Sequence, residues 1–321
     1  MVITVSEDCG KVMSMEESVK KFVKDGDVIW LGGVNQHQAI AAMHEIARQK
    51  IRNLTLVGLI TDAAVLLAAK CIRKVLCSFI GPIRYKRYDD SLIKLCADDG
   101  VFVEIEEYSN FALAMRLLAG SLGIPFITTK TLWGTDCLKV NPNIKFVECP
   151  FTGEKLVALP SLNPDVAIIH VQRSDPFGNA QKWGIIGADD IAAKAAKKVI
   201  VSCEEVVDSD VIRRDSNRTL IQGFRVNAVV EEPWGAHPWF VYGYYDVDFP
   251  FLVKYLMPPK EGGYLEAINK FMEEWVYGVA NRREYIDKYI KIYGKEKLEA
   301  LKIKQTVSSG EVIYGYPEGN L

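Results

Sequence analysis

Five polar stretches supply residue types from which a binding or catalytic centre could be built. Gly32-Gly33-Val34-Asn35-Gln36-His37-Gln38 combines two glycines, which let a backbone approach a ligand closely, with the start of a helix whose free N–H groups meet anions. A tight strand-to-helix turn explains the same residues equally well, and His37 by default reads as an exposed loop histidine. Gly81-Pro82-Ile83-Arg84-Tyr85-Lys86-Arg87-Tyr88 sets three cations and two tyrosines within five residues, a set able to hold a phosphate or carboxylate or to remain a solvated loop. Glu104-Ile105-Glu106-Glu107-Tyr108-Ser109-Asn110 clusters carboxylates in an arrangement open to acid–base work or to a solvated face, and Ser109 or Asn110 also reads as a helix N-cap. Thr128-Thr129-Lys130-Thr131-Leu132-Trp133-Gly134-Thr135-Asp136 is the fourth stretch, and Asp175-Pro176-Phe177-Gly178-Asn179, a plain turn signal, the fifth. The chain has no Gly-x-Ser-x-Gly elbow, phosphate loop, His-Glu-x-x-His pair or Gly-x-Gly-x-x-Gly fingerprint.

The stretches fall where a particular architecture would place them. Ser14-Met15-Glu16-Glu17 is a capping-box pattern, followed by Val19, Phe22 and Val23 at helical spacing. Val28-Ile29-Trp30-Leu31 is a short continuous apolar run, as in a strand buried on both faces. A helix is expected over 39–49, a strand over 54–59, a helix over 63–70, a strand over 75–80, a short helix over 91–97, a strand over 101–103 and a helix over 110–122, leading into Phe126-Ile127-Thr128. Phe146-Val147-Glu148 and Leu156-Val157-Ala158 flank Thr152-Gly153-Glu154 as a hairpin. The alternation resumes with strands at 166–171, 199–201 and 228–230 and a helix over 190–197.

This pattern predicts an α/β fold: an open, mostly parallel twisted sheet with helices on both faces, a small antiparallel hairpin and a helical C-terminal extension. One domain over 1–321 is expected, with the extension at 260–305 and a tail at 306–321. Ligands of such sheets sit beyond the carboxyl ends of the strands, where the polar stretches fall.

Composition removes several classes. A net charge of −2 argues against a polyanionic nucleic-acid partner, and no apolar run reaches the ~20 residues of a membrane span. Glu7, Asp8, Glu16 and Glu17 near the start do not suit a secretory leader, so a cytoplasmic location is expected. Seven scattered cysteines without a C-x-x-C pair, and four distant histidines, give no metal-ligand spacing. Cys71, Cys77 and Cys203 lie in or beside apolar runs and read as reduced core thiols.

The residues alone give no reaction; a resemblance does. Asp165-Val166-Ala167-Ile168-Ile169-His170, Val201-Ser202-Cys203-Glu204-Glu205, Ile212-Arg213-Arg214-Asp215, Gly235-Ala236-His237-Pro238, Tyr242-Gly243 and Asp248-Phe249-Pro250-Phe251-Leu252 are similar, in order, to blocks of the type I CoA-transferases, α subunits of the glutaconate type. Glu45-Ile46-Ala47-Arg48-Gln49 and Gly123-Ile124-Pro125-Phe126 extend the resemblance, which covers roughly residues 14 to 310. It implies a partner β subunit carrying a nucleophilic glutamate, an α/β hetero-oligomer, and transfer of CoA from a dicarboxylic or cyclic acyl-CoA to a carboxylic acid through a glutamyl-CoA thioester. No catalytic residue is then expected in this chain, nor any cofactor or metal, CoA being a substrate. The chain would line the acyl pocket with Gly32, Gly33, Asn35, Gln36, His37, Arg84, Tyr85, Glu107, Ser109, Asn110, Lys130 and Gly134.

Asn110 falls where the transferases carry an amide and a related hydrolase branch a carboxylate; an amide orients a substrate but is no general base. Lys130 matches a position basic in that hydrolase branch, which keeps open a subunit of a hydrolase or decarboxylase acting on a ring-derived or dicarboxylic acyl-CoA. Gln36-His37-Gln38-Ala39 replaces a basic stretch of the glutaconate enzymes, and Ile83-Arg84-Tyr85 a smaller loop, so the acyl pocket is expected to differ from theirs. His237, before a proline and near Trp234 and Trp239, reads as structural.

Overall fold

A computed structural model of the chain describes residues 10–34, 36–81, 100–256 and 264–303. The first helix, Met15–Phe22, begins as the capping box requires: Ser14 Oγ accepts the Glu17 N–H at 3.1 Å and the Glu17 carboxylate accepts the Ser14 N–H at 2.9 Å. It delivers the chain to β1 (Val28–Leu31), which lies at the centre of a nine-stranded sheet.

The other strands of that sheet are β2 (Leu54–Asp62), β3 (Ile72–Gly81), β4 (Glu104–Glu107), β8 (Val166–Ser174), β9 (Ala180–Gln181), β10 (Lys198–Val206), β11 (Thr219–Ile221) and β12 (Ala228–Glu231). Its parallel strands lie side by side in the order β4-β3-β2-β1-β8-β10-β12, and the short β9 and β11 add antiparallel pairs beyond the end of β8. Ile29 of β1 pairs with Leu56 on one side and Val166 on the other. Successive connections leave β1 in one direction and β8 in the other, so the direction of winding reverses between these two strands. A reversal of this kind opens a crevice at the carboxyl ends of the strands.

Alternation along β1 separates two cores. Ile29 and Leu31 join one that includes the helices Ile40–Arg48, Phe249–Tyr255 and Arg282–Tyr293; Trp30 joins another with the helices Asn110–Leu122 and Asp189–Ala195. Helices therefore cover both faces of the sheet, as expected from the near-continuous apolar strands. Cys71, Cys77 and Cys203 are buried and unpaired within these cores, where burial pushes the Cys71 thiol up to about 11. The C-terminal helices belong to the first core rather than forming a separate layer: Phe271, Trp275, Tyr285 and Tyr289 are all buried beside Phe251.

Two expectations need correction. Phe126–Thr129 (β5) does not continue the parallel sheet; it pairs antiparallel with Lys155–Pro160 (β7), whose other neighbour is Lys145–Glu148 (β6), so the expected hairpin gains a third strand. The strand expected at 101–103 starts instead at Glu104, because pairing with β3 begins where Lys74 meets Glu104, at 2.8 Å. The C-terminal extension is helical as expected, with Met272–Tyr277 widening into a π-helical turn between α-helical segments. The short helix expected over 91–97 lies outside the described residues.

Candidate functional site

The crevice between β1 and β8 is where Gly32 and Gly33 leave the sheet. Gly32 N–H donates to the Ile168 carbonyl at 2.9 Å, holding the turn to β8. Gly33 has φ +95°, and a Cβ there would stand 2.2 Å from the Gln36 carbonyl oxygen, so only glycine closes this turn. A Cβ on Gly32 would meet the Asp189 carboxylate at 2.9 Å.

Asp189 explains that crowding. Its side chain accepts the Trp30 indole N–H at 2.8 Å and the Gly33 N–H at 3.3 Å, and it pairs with the Lys182 ammonium. Lys182 is fully buried and Asp189 is 1% exposed, so two opposite charges lie directly beneath the glycine turn. Charges so placed persist in the interior only when paired and hydrogen bonded.

His37 departs from the expected exposed loop histidine: it is fully buried, with φ 48°. The fold returns Tyr242 over the loop, and the Tyr242 N–H donates to His37 Nε2 at 3.0 Å. Burial first, then the charges of Lys182 and His170, hold the imidazole neutral. A neutral ring that accepts at Nε2 carries its proton on Nδ1, and Nδ1 has no hydrogen-bond partner among the described residues. Gln36 is also fully buried; its Nε2 donates to the Ile185 carbonyl at 2.9 Å while Oε1 has no partner among the described residues. One unused donor and one unused acceptor thus flank the turn.

The stretch after β4 lies at the same sheet edge but three strands away, at ~14 Å from the standard strand spacing. Ser109 is the N-cap of Asn110–Leu122, its Oγ accepting the Ala112 N–H at 3.1 Å, the capping role read from the sequence. Asn110 is exposed at the first helical position, and its Oδ1 accepts the Ser78 hydroxyl of β3. Glu107 is exposed. Its neighbour Glu106 is instead buried, against Lys74 Nζ at 2.6 Å and Arg116 Nη1 at 3.3 Å, and so braces the edge strand.

Lys130 stands past the end of β5, on the small antiparallel sheet, two-thirds exposed and paired with Glu154 at 2.7 Å. Gly134 takes φ 77° in an exposed turn nearby. The link from this loop to the β4 stretch is Thr131 Oγ1, 3.5 Å from Ser109 Oγ. Thus Gly32, Gly33, Gln36 and His37 converge on the crevice, Glu107, Ser109 and Asn110 form a second group, and Lys130 and Gly134 belong to a third. Asn35, Arg84 and Tyr85 lie outside the described residues.

The residues that order the crevice, Lys182, Asp189, Trp30 and Tyr242, left almost no trace in the sequence. Asp189 reads there as an ordinary acidic first-turn residue of a helix. His237 is fully buried, its Nδ1 2.9 Å from the Tyr285 hydroxyl and its Nε2 3.3 Å from Asp248 Oδ2. Burial, opposed by the Asp248 bond, lowers it to about 4, so it packs neutral away from the crevice. Among the described residues no group of three His, Cys, Asp or Glu is placed to hold a metal ion, and no helix is long and apolar enough to cross a membrane.

Comparison with known proteins gives this geometry a context. Residues 12–232 match the model of the family described as "Coenzyme A transferase". The A subunit of 3-oxoadipate CoA-transferase from Pseudomonas knackmussii is 36% identical over 86% of this chain and 96% of its own. The A subunit of glutaconate CoA-transferase from Acidaminococcus fermentans is 34% identical over 91% of this chain and 95% of its own. The crystal structure of that glutaconate coenzyme A-transferase superposes with a TM-score of 0.81 over 92% of this chain and 96% of the other, at 32% identity. A decarboxylase, AibA/AibB, follows with a TM-score of 0.69 at 28% identity, over 82% of this chain and 99% of the other.

Proposed function

The chain belongs to the coenzyme A transferase family, and we propose that it is the α-type member of a heteromeric enzyme moving CoA from a dicarboxylic or cyclic acyl-CoA to a carboxylic acid. The carrying observation is full-length similarity to proteins named as CoA-transferase A subunits, joined to a rigid glycine turn at the sheet's switch point. A glutamate attacks the thioester carbonyl from the partner β subunit; CoA leaves and then returns to the resulting anhydride, giving a glutamyl-CoA thioester and free carboxylate. The second carboxylate reverses these steps and takes the CoA.

In this reading the present chain contributes no nucleophile. It shapes the acyl pocket with Gly32, Gly33, Gln36 and His37, and Asn35, Arg84 and Tyr85 are proposed as further contacts of the acyl group. The backbone N–H groups of the turn are held by Ile168, Asp189 and Gln36, which fixes its shape, while the neutral His37 Nδ1–H suits a polar acyl group, such as the distal carboxylate of a dicarboxylic thioester. Asn110, tied to Ser78, orients rather than deprotonates, which favours transfer over hydrolysis.

The fold also serves the decarboxylase AibA/AibB, and that supports a second reading: a subunit of a decarboxylase or hydrolase on a similar acyl-CoA. Lys130, offered for that role, is already paired with Glu154. Co-expression with the β subunit, followed by an assay of CoA exchange between acyl donors and acetate, separates the two. Labelled acetyl-CoA is the expected product; CoA released only as free thiol, or loss of carbon dioxide, refutes transfer.

A further inference from the structure

A cavity of about 300 Å³ opens between the start of helix Met15–Phe22, the helix Ile40–Arg48, the end of β12 and the start of helix Arg282–Tyr293. None of the strand-end residues assigned to the acyl pocket lines it.

Its charged groups are not all in contact with one another. Glu45 and Arg48 satisfy one another at 2.8 Å. Arg282, only 4% exposed, donates through Nε and Nη2 to the carbonyls of Trp234, Gly235 and His237, none of them anionic, and its Nη1 has no hydrogen-bond partner among the described residues. His44, 2% exposed, also keeps Nε2 unpartnered. Burial first, and then Arg282 and Arg48, keep that ring neutral. Another acid of the wall is the half-buried Glu232, which desolvation raises to about 7 against the pull of the same two arginines. The pocket therefore holds a guanidinium without a contacting counter-ion, a free N–H, a free imidazole nitrogen and a weakly acidic carboxyl. Met15 and Ala41 add apolar surface.

We propose that this cavity is a second ligand site, for a small aliphatic carboxylate whose oxygens accept from Arg282 Nη1 and lie between His44 Nε2 and Glu232. A guanidinium fork suits a carboxylate, and a protonated Glu232 donates to the guest's second oxygen. A phosphate dianion suits it less, since it adds charge beside Glu45 and Glu232. The site does not depend on the transferase reading.

The test is calorimetric titration of the full chain with sodium acetate at constant ionic strength, with chloride and inorganic phosphate in parallel. One saturable acetate site is expected. Glu232→Leu and His44→Phe should each weaken it by about tenfold, the loss of one charge-assisted contact. Asn110→Ala, at the strand-end stretch, should leave it unchanged. Absence of saturation, an equal response to chloride or phosphate, or sensitivity to Asn110→Ala alone overturns the proposal. Should His44→Phe fail to fold by circular dichroism, Glu232→Leu, at a partly exposed position, decides the matter.

Discussion

The pair beneath the glycine turn allows stability and activity to be separated. Lys182→Met leaves the Asp189 carboxylate buried with only the Trp30 indole and the Gly33 N–H as donors. Asp189→Asn leaves a fully buried ammonium with no anion. Breaking one partner of a buried pair costs about 3–5 kcal/mol, whereas replacing both by apolar groups of similar volume is often near neutral. Each single variant should therefore lose roughly 3–5 kcal/mol in urea unfolding, and Lys182→Met/Asp189→Leu should recover part of it, the remainder being the cost of the unpaired Trp30 and Gly33 donors. Turnover with the β subunit should behave differently. The double variant still lacks the acceptor for the Gly33 N–H and the Trp30 indole, so the turn is unanchored and CoA exchange stays low. Singles that lose under about 1 kcal/mol refute the electrostatic account. A double variant that regains both stability and full exchange refutes the claim that the pair positions the turn.

Gly33→Ala forces a Cβ against the Gln36 carbonyl at a φ of +95° and should lose more than ~1 kcal/mol of stability in urea, along with most exchange activity. His237→Ala should lose roughly 3 kcal/mol, by opening a cavity and removing one of the partners of Asp248, while the folded fraction keeps its KM for acyl-CoA. Lys130→Ala breaks an exposed pair and should change stability by less than about 0.5 kcal/mol, so any large loss of exchange would place the side chain on the substrate. Stability should also fall below pH 6.5: His37, His44 and His237 are all held neutral by burial, so the unfolded chain binds more protons there, each adding up to ~1.4 kcal/mol per pH unit. Glu232 works the other way, its folded value of about 7 lying above the ordinary 4.5, so it releases strain as pH falls. Glu232→Gln should therefore steepen the loss between pH 6.5 and 4.5 in urea melts across that range, and an unchanged slope would contradict its burial.

Much of the architecture was legible because strands and helices announce themselves locally. The apolar run at 28–31 and the helix at 110–122 fall where expected, as does the Ser14 capping box. What failed was pairing: Phe126–Thr129 has the composition of a sheet strand, and nothing in it states which sheet or which direction. The site was legible in its glycines, whose conformational role is local. His37 was misread because its burial depends on Tyr242, some two hundred residues later in the chain. Lys182 and Asp189 escaped for the same reason, each looking solvent-bound until the turn after β1 is laid over them. The shift of Lys130 away from the crevice followed from the misread strand pairing.

Arg282 carries a consequence for biogenesis. Its guanidinium clasps the carbonyls of Trp234, Gly235 and His237, and so fastens the turn that follows β12. The helix it begins is translated only after every strand of the main sheet. A ribosome-bound nascent chain can thus pair its strands while the seam between sheet and final helices stays open, exposing Phe251 and its aromatic neighbours to solvent or to a chaperone. Nonsense or frameshift lesions beyond residue 232, although they spare the whole segment matched by the family model, would leave a sheet-bearing product prone to capture by quality control.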